Sequence, residues 1–288
     1  MLTKVCVICL CYNHEEYVED ALASVLAQTY PIELIVVDDA SSDGSVEKIK
    51  GFLTKHNPVS VKTLFNERNL GNCKAFNTAL ELTNAEFIID LAADDILLPN
   101  RVGEGVKSLI EKPEVAVNFT NAYYINEKGQ YIKSHYPVDN QGHSKFLVQE
   151  GDLFVEILKR YFICPPTLMY RASYLKAIGG YDEALAYEDF DVMLRLSRLH
   201  PFSYTDKVLV EKRVVSNSMG TVQYKKSNKQ LYSTLKICKK AFEMIQNRKE
   251  KRALLMRLLY ESKQAFIHKR FLLFNAFINL GFKTILKK

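Results

Sequence analysis

Residues 5–45 read VCVICLCYNHEEYVEDALASVLAQTYPIELIVVDDASSDGS, and the order of elements within them decides the fold. Residues 5–11 are apolar on both faces and rich in β-branched side chains, the pattern of a strand covered above and below. Val18, Ala21, Leu22, Val25 and Leu26 then recur at helical spacing and predict a helix over 17–28. Residues 32–37 repeat the buried-strand pattern. Ser42 and Asp43 are residue types that cap helix N-termini, here for a helix reaching about residue 55.

The alternation continues outward. Residues 59–65 form a third expected strand. Residues 71–82 form a helix with Ala75, Phe76, Ala79 and Leu80 on one face, 86–91 a fourth strand, and 100–110 a helix after Pro99. Strands alternating with helices demand right-handed crossovers, which predicts an α/β fold with a doubly wound, mainly parallel sheet. Polar residues collect at the strand exits: Tyr12-Asn13-His14, Asp38-Asp39, Asn66 with Asn69, and Asp94-Asp95. Ligands of open α/β sheets sit outside the carboxyl ends of the strands, so these four exits define one cleft.

Several chemistries are excluded. No G-x-G-x-x-G follows a strand, and neither G-x-x-x-x-G-K-[ST] nor G-x-S-x-G occurs. A diphosphate held here would not be cradled by glycine amides, which leaves a divalent cation on the hard oxygens of Asp94-Asp95, Mg²⁺ or Mn²⁺. The competing use of an Asp-Asp pair is a turn or cap before Pro99. The histidines are scattered, and His14, near the exits, suits a cap or surface role better than metal ligation.

Composition bounds the rest. With 288 residues, 48% hydrophobic and 25% charged, the chain can bury a core and is not disordered. No apolar run approaches the roughly 20 residues of a spanning helix. Residues 1–220 hold 22 Lys+Arg against 30 Asp+Glu, while residues 221–288 hold 17 against 3. An acidic body with a basic tail suggests chemistry in the first and an anionic surface for the second, unless the tail is a solvated helical face. Cys6, Cys9 and Cys11 lie in one strand and cannot all converge on a metal, so the cysteines read as buried reduced thiols of a cytosolic protein. The N-terminus shows no signal-peptide pattern.

The opening stretch resembles that of family 2 glycosyltransferases, which have the GT-A fold. The resemblance continues through NERNLGNCKAFNTALELTNAEFIIDLAADDILLPNR (residues 66–101) and TLMYRASYLKAIGGYDEALAYEDFDVMLRL (residues 167–196), covering most of residues 4–200. It implies an inverting transfer of sugar from a nucleotide-sugar donor, most often UDP-linked. It places Tyr12 and Asn13 against the nucleoside and gives Asp39, with Asp38 beside it, the base or ribose. Ala92-Ala93-Asp94-Asp95 matches the family's DXD region: Asp95 would bind Mn²⁺ or Mg²⁺ bridging the phosphates, and Asp94 would contact ribose, donor sugar or metal. Asp189, in Glu188-Asp189-Phe190-Asp191, matches the catalytic base, six positions before Arg195, which reads as a structural or acidic-pocket partner. Two positions depart from the pattern. Ala92 stands where many members have an earlier Asp, and residues 212–218 lack the histidine of a metal-covering loop, making Lys212 or Arg213 candidates for neutralising phosphate.

Acceptor recognition is expected between residues 119 and 166. Short strands over 115–119, 122–125 and 131–132 bring Tyr123, Tyr124, Tyr131 and Tyr136 to strand positions. They could stack on a sugar, though packing is the commoner use. Residues 137–147 read as a mobile loop. In the tail, helical periodicity over 225–248 and 251–269 precedes FLLFNAFINLGF (residues 271–282), with Phe271, Phe274 and Ile278 on one face. Lys and Arg bracket this segment, which suits a helix in an anionic membrane interface or one packed on the catalytic domain or in a homodimer. No nucleic-acid module is present.

The expectation is a GT-A type domain over residues 1–220, in which residues 1–112 bind the nucleotide and residues 113–220 bind the acceptor and carry the base. A C-terminal basic helical extension over 221–288 follows it. The expected activity is metal-dependent transfer from a nucleotide sugar to a glycan or lipid-linked acceptor in polysaccharide synthesis, in the cytoplasm or peripherally at the inner membrane face. A sugar nucleotidyltransferase would instead carry a glycine-rich basic loop where Tyr12-Asn13-His14-Glu15-Glu16 stand. A non-catalytic subunit of a polysaccharide assembly machine would be expected to have lost Asp95 or Asp189.

Overall fold

The computed structural model describes residues 3–186, 188–215 and 230–287. They fall into two compact units. The first comprises Met1–Gly151, Ile163–Tyr181 and Pro201–Val215, the second Asp152–Phe162, Asp182–His200 and Ser216–Lys288, each as far as described. The boundary expected at residue 220 and the first residues, 225–229, of the helix expected over 225–248 lie outside the described residues.

The first unit carries the whole sheet. Its opening run is β1 (Val5–Cys11), α1 (Val18–Leu26), β2 (Glu33–Asp38), α2 (Ser45–His56), β3 (Val61–Phe65), α3 (Asn72–Glu81) and β4 (Phe87–Ala92). All pairings among β1 to β4 are parallel, with β1 between β2 and β4. Helix α2 starts two residues beyond Asp43 because that carboxylate accepts the Ser45 N–H and Oγ–H at 3.0 and 2.6 Å, closing a turn first. Val7, Cys9, Leu34, Val36 and Ile89 from the strands pack with Leu22, Val25 and Ile49 from the helices. Burial raises the thiols of Cys6 and Cys11 to about 12 and about 11, so these cysteines stay protonated core residues.

The sheet continues with β5 (Ile96–Leu97), α4 (Arg101–Glu111), β6 (Val117–Ile125) and β7 (Tyr131–Ser134). After α5 (Phe154–Lys159), which belongs to the second unit, come β8 (Met169–Arg171) and α6 (Ala172–Ala177), and β9 (Phe202–Arg213) completes the order β3-β2-β1-β4-β8-β6-β9-β5, with β7 on β6. Strand β9 runs parallel to β6, whereas β8 is antiparallel to both its neighbours.

The strands expected at 115–119 and 122–125 form one strand. Asn121 bridges the break: its Oδ1 accepts the amides of Ala122 and Tyr136, each at 2.9 Å, and its Nδ2 donates to the Tyr136 carbonyl. These bonds tie β6 to the segment after β7 at the point where the β6–β9 register shifts. Arg101 of α4 is wholly buried. It donates to Asn118 Oδ1 and to the Thr167 carbonyl at 3.1 and 2.7 Å, and its burial lowers its pKa to about 9.

The second unit is helical: α5, α7 (Glu188–Ser197), α8 (Gln230–Met244), α9 (Arg248–Ile267) and α10 (Phe271–Leu286). Helix α9 begins three residues before the expected start because Asn247 and Glu250 form a reciprocal cap. Asn247 Oδ1 accepts the Glu250 amide at 3.1 Å, and Glu250 Oε2 accepts the Gln246 amide at 2.7 Å. In α10 the buried stripe is Leu273, Phe277, Leu280 and Thr284, leaving Phe271 exposed. Arg257 lies buried, donating to Glu261 Oε1 and the Leu158 carbonyl, with its guanidinium over the Phe190 ring at 4.8 Å. No helix among the described residues is long and apolar enough to cross a membrane.

Candidate active site

The register of the parallel strands brings the sequence-predicted residues of the first unit together. The Asp39 amide donates to the Cys11 carbonyl and the Ala93 amide to the Leu10 carbonyl, both at 2.9 Å. The exits of β2 and β4 thus flank that of β1, with neighbouring strands about 4.8 Å apart. Tyr12 and Asn13 leave from the middle strand, Asp38-Asp39 from one side and Asp94-Asp95 from the other.

Polar side chains lock the loops. Asn13 takes the left-handed conformation (φ 57°), as does Ala40 (φ 63°). From there the Asn13 amide donates to Ser41 Oγ at 2.9 Å, and its Oδ1 accepts the Ser42 amide at 2.8 Å. Glu15 and Asp43 tie the same loops further out, through the Gly44 and Glu15 amides. Asp38 is buried and accepts the Ser41 amide and hydroxyl at 2.9 and 2.6 Å. Asp39 gathers the loop after β3: Oδ1 accepts Asn66 Nδ2 and the Leu70 amide, and Oδ2 the Gly71 amide, each at 2.8 Å. Both carboxylates therefore build the cleft wall, and Tyr12 is half exposed beside them.

Asp94 and Asp95 sit in a tight turn, with the Asp95 amide donating to the Ala92 carbonyl at 3.0 Å. Asp95 is almost fully buried, and its Oδ1 accepts the Arg213 amide at 2.9 Å. Burial first, and the adjacent Asp94 second, push its carboxyl well above the usual range, while Lys212 and Arg213 oppose the shift. A hard cation relieves such a clash, and Mg²⁺-type sites commonly use one or two carboxylates with the substrate's phosphates completing the shell. The pair fits that donor set. No group of three or more His, Cys, Asp or Glu side chains among the described residues is placed to hold a metal unaided.

Arg213 has another use than the phosphate contact suggested by its position. It is buried, with Nε on the Asp94 carbonyl at 3.1 Å, Nη1 on the Glu127 carbonyl at 3.1 Å and Nη2 on Asp20 at 3.3 Å; its guanidinium covers the Tyr17 ring. It clamps the Asp94-Asp95 turn, a role for which the sequence carried no signal beyond its place at the strand end. Among the tyrosines, Tyr136 packs edge-on against Phe146 and Tyr204, and Tyr124 bonds His135. A cavity of about 440 Å³ lies between Tyr123, Tyr131 and Glu211 and includes none of the four aspartates in its lining.

Asp189 belongs to the second unit, near the start of α7. Its Oδ2 accepts the Tyr161 hydroxyl and its Oδ1 the Phe190 amide. Arg195 is the ion-pair partner of buried Asp191, at 2.6 Å. Lys240 of the tail helix α8 joins them, reaching Asp191 and Asp182 at 2.7 and 2.6 Å. Nothing in the sequence pointed to Lys240.

The Glycosyl transferase family 2 model matches residues 6–179, more than half of the chain. The chain belongs to that family. An uncharacterized glycosyltransferase of Methanocaldococcus jannaschii is 25% identical over 236 residues, 81% of this chain and 78% of the relative. The amylovoran biosynthesis glycosyltransferase AmsE of Erwinia amylovora is 27% identical over 228 residues, 77% of this chain and 81% of that one. Two Rickettsia relatives are longer, and the chain spans about a third of their length.

Among solved structures, S. aureus TarS 1–349 in complex with UDP-GlcNAc superposes with a TM-score of 0.68 at 19% identity, covering 92% of this chain and 73% of that one. The mannosyltransferase PcManGT from Pyrobaculum calidifontis, in complex with GDP-Man and Mn²⁺, gives 0.66 at 16%, covering 96% and 73%. These likenesses show that this family 2 member has the GT-A fold expected of it.

Proposed function

We propose that this family 2 enzyme transfers a sugar from a nucleoside diphosphate donor, UDP-linked, to a hydroxyl of a glycan or lipid-linked acceptor in polysaccharide synthesis, with inversion at the anomeric carbon. The observation that carries the reading is the alignment of the β1, β2 and β4 exits, which sets two carboxylate pairs on either side of Tyr12 and Asn13. A nucleoside and a diphosphate are the ligands such a cleft fits: an aromatic ring and amide beside the base, acids toward ribose hydroxyls, and an acidic pair toward a cation. The complexes of TarS and PcManGT, with UDP-GlcNAc and with GDP-Man and Mn²⁺, support a nucleotide-sugar donor and a divalent ion.

Asp94 and Asp95 would hold that ion, which when bound supplies positive charge against the leaving diphosphate. Asp38 keeps the nucleoside wall rigid, and Asp39 beside it would contact base or ribose. Asp189 takes the proton of the acceptor hydroxyl as its oxygen forms the new bond to the anomeric carbon. The bond from that carbon to the diphosphate oxygen breaks, and its electron pair leaves with the nucleotide. Tyr161 and the Phe190 amide orient the Asp189 carboxylate for this step.

The test is thermal stability with UDP, GDP, dTDP and CMP, each with and without Mn²⁺, on the wild type and Asp95→Ala. A ligand specific to the folded state raises the melting temperature by mass action. Stabilisation by UDP with Mn²⁺, abolished by the substitution, is the expected result. A folded wild type that responds to no nucleotide sinks the donor assignment and favours a non-catalytic assembly subunit.

A further inference from the structure

The helical unit exposes an apolar ridge where α9 turns into α10. Lys269 closes the turn in the left-handed conformation (φ 56°). Phe266, Ile267 and Phe271 are 57%, 55% and 56% exposed, and Leu272 83%. The Phe266 ring lies 6.1 Å from that of Phe271 and 5.6 Å from that of Phe274, so the aromatic side chains form one cluster. Met256, Leu259 and Tyr260, also exposed, extend the ridge along the same outer face of α9. Single exposed apolar side chains are ordinary, but a run of this length marks an interaction surface.

Charge identifies the occupant. Lys263, Lys269 and Lys283 stand exposed on the same two helices and their turn, and residues 262–288 contain no Asp or Glu. A second copy seated here about a two-fold axis would bring this segment against itself, lysine toward lysine with no carboxylate in it to pair them. A bilayer with anionic headgroups offers hydrocarbon to the ridge and phosphate to the lysines at once. We propose that the α9–α10 corner docks on an anionic lipid bilayer, its apolar tip entering the headgroup boundary and its lysines resting on the lipid phosphates. The surface lies on the membrane and does not span it. The proposal stands apart from the transferase reading, since docking needs neither donor nor metal.

The test is co-sedimentation of the full chain with vesicles of phosphatidylcholine alone or mixed with phosphatidylglycerol, over a range of salt. Three variants accompany the wild type: Ile267→Ser with Leu272→Ser; Lys263→Gln with Lys269→Gln and Lys283→Gln; and Val59→Ser, a fully exposed apolar site in the first unit, as control. Thermal melts establish that each is folded. The wild type and the control are expected to bind the anionic vesicles and to release with salt. The triple lysine variant should partition on the order of a hundredfold more weakly, and the serine variant on the order of tenfold or more. Folded wild type that stays in the supernatant, or that binds both vesicle types alike without salt dependence, overturns the proposal. So does a dimer in lipid-free sedimentation equilibrium that the serine variant splits, because the ridge would then be a self-interface. Should the serine variant not fold, the lysine variant and the salt dependence still decide.

Discussion

The carboxylate of Asp95 is anchored by the backbone amide of Arg213, 118 residues away in sequence, at 2.9 Å. The Arg213 side chain then returns to the carbonyl of Asp94. One residue at the end of β9 thus fixes both halves of the acidic turn, from behind through its side chain and from the edge through its amide. Arg213→Ala is expected to lose several buried hydrogen bonds and to cost about 2–4 kcal/mol of stability. Urea unfolding gives the stability, and the melting shift with Mn²⁺ and UDP gives the site. A wild-type urea midpoint for the alanine variant would show that the clamp contributes nothing.

Asp95 itself is held at an energetic disadvantage, buried and beside Asp94. Asp95→Asn keeps an oxygen for the Arg213 amide and removes the repulsion. Without metal the variant should melt about 2–4 °C above wild type, as expected for roughly 1 kcal/mol in a chain of this size. With Mn²⁺ and nucleotide the order should invert, because only the wild type gains from the ligand. An asparagine variant that melts below wild type without metal contradicts the first half of this expectation.

Much of this was legible because it is local. Strands β1, β2 and β4 announce themselves by apolar runs, and Tyr12-Asn13, Asp38-Asp39 and Asp94-Asp95 follow from the ends of those runs. The long-range partners were not legible. Arg213 and Lys240 are two of many basic residues in sequence, and only the folded chain selects a buried strand end and a helix face for them. Nothing in sequence shows that the Asn121 side chain joins the strands expected at 115–119 and 122–125 by bonding Ala122 and Tyr136. Helical periodicity in the tail marks faces without naming what covers them, so the grouping of α8, α9 and α10 with α5 and α7 could not be read in advance.

Gly105 shows how tightly the first unit is packed behind the site. A Cβ there would lie 2.3 Å from Met169 Sδ and 2.5 Å from Arg101 Nη1. Arg101 is fully buried and fixed on Asn118 and Thr167, so it cannot give way without losing those bonds. Gly105→Ala should gain helix propensity yet be destabilised overall by about 1–3 kcal/mol. A stability at or above wild type would show that Met169 and Arg101 both give way without cost.

Acid should loosen the cleft loops through Asp43. Burial alone would raise its carboxyl, but hydrogen bonds from the Ser45 hydroxyl and from the Glu15 and Ser45 amides outweigh it and hold the group below its ordinary value of 3.8. A carboxylate depressed in the folded state adds stability that is complete above the ordinary value and is lost as pH falls through the folded one. The loss specific to Asp43 therefore belongs below about pH 3.8. Asp43→Asn should show a smaller fall in melting temperature over that window than wild type, and parallel curves would exclude the mechanism.

The strongest demand on the reading falls on Asp189. If it is the base, Asp189→Asn keeps the shape of the side chain and its acceptor oxygen for the Phe190 amide but cannot take a proton. Turnover should fall on the order of 10²–10⁴-fold, while stabilisation by UDP and Mn²⁺ stays at the wild-type level, since neither ligand is assigned to Asp189. Tyr161→Phe removes one orienting hydrogen bond and leaves the carboxylate, so it should lower kcat by a smaller factor with little change in donor KM. The pair of outcomes separates a base from a structural acid. A structural acid would lower the melting temperature and donor response together, and an asparagine variant that turns over at the wild-type rate would remove Asp189 from the reaction.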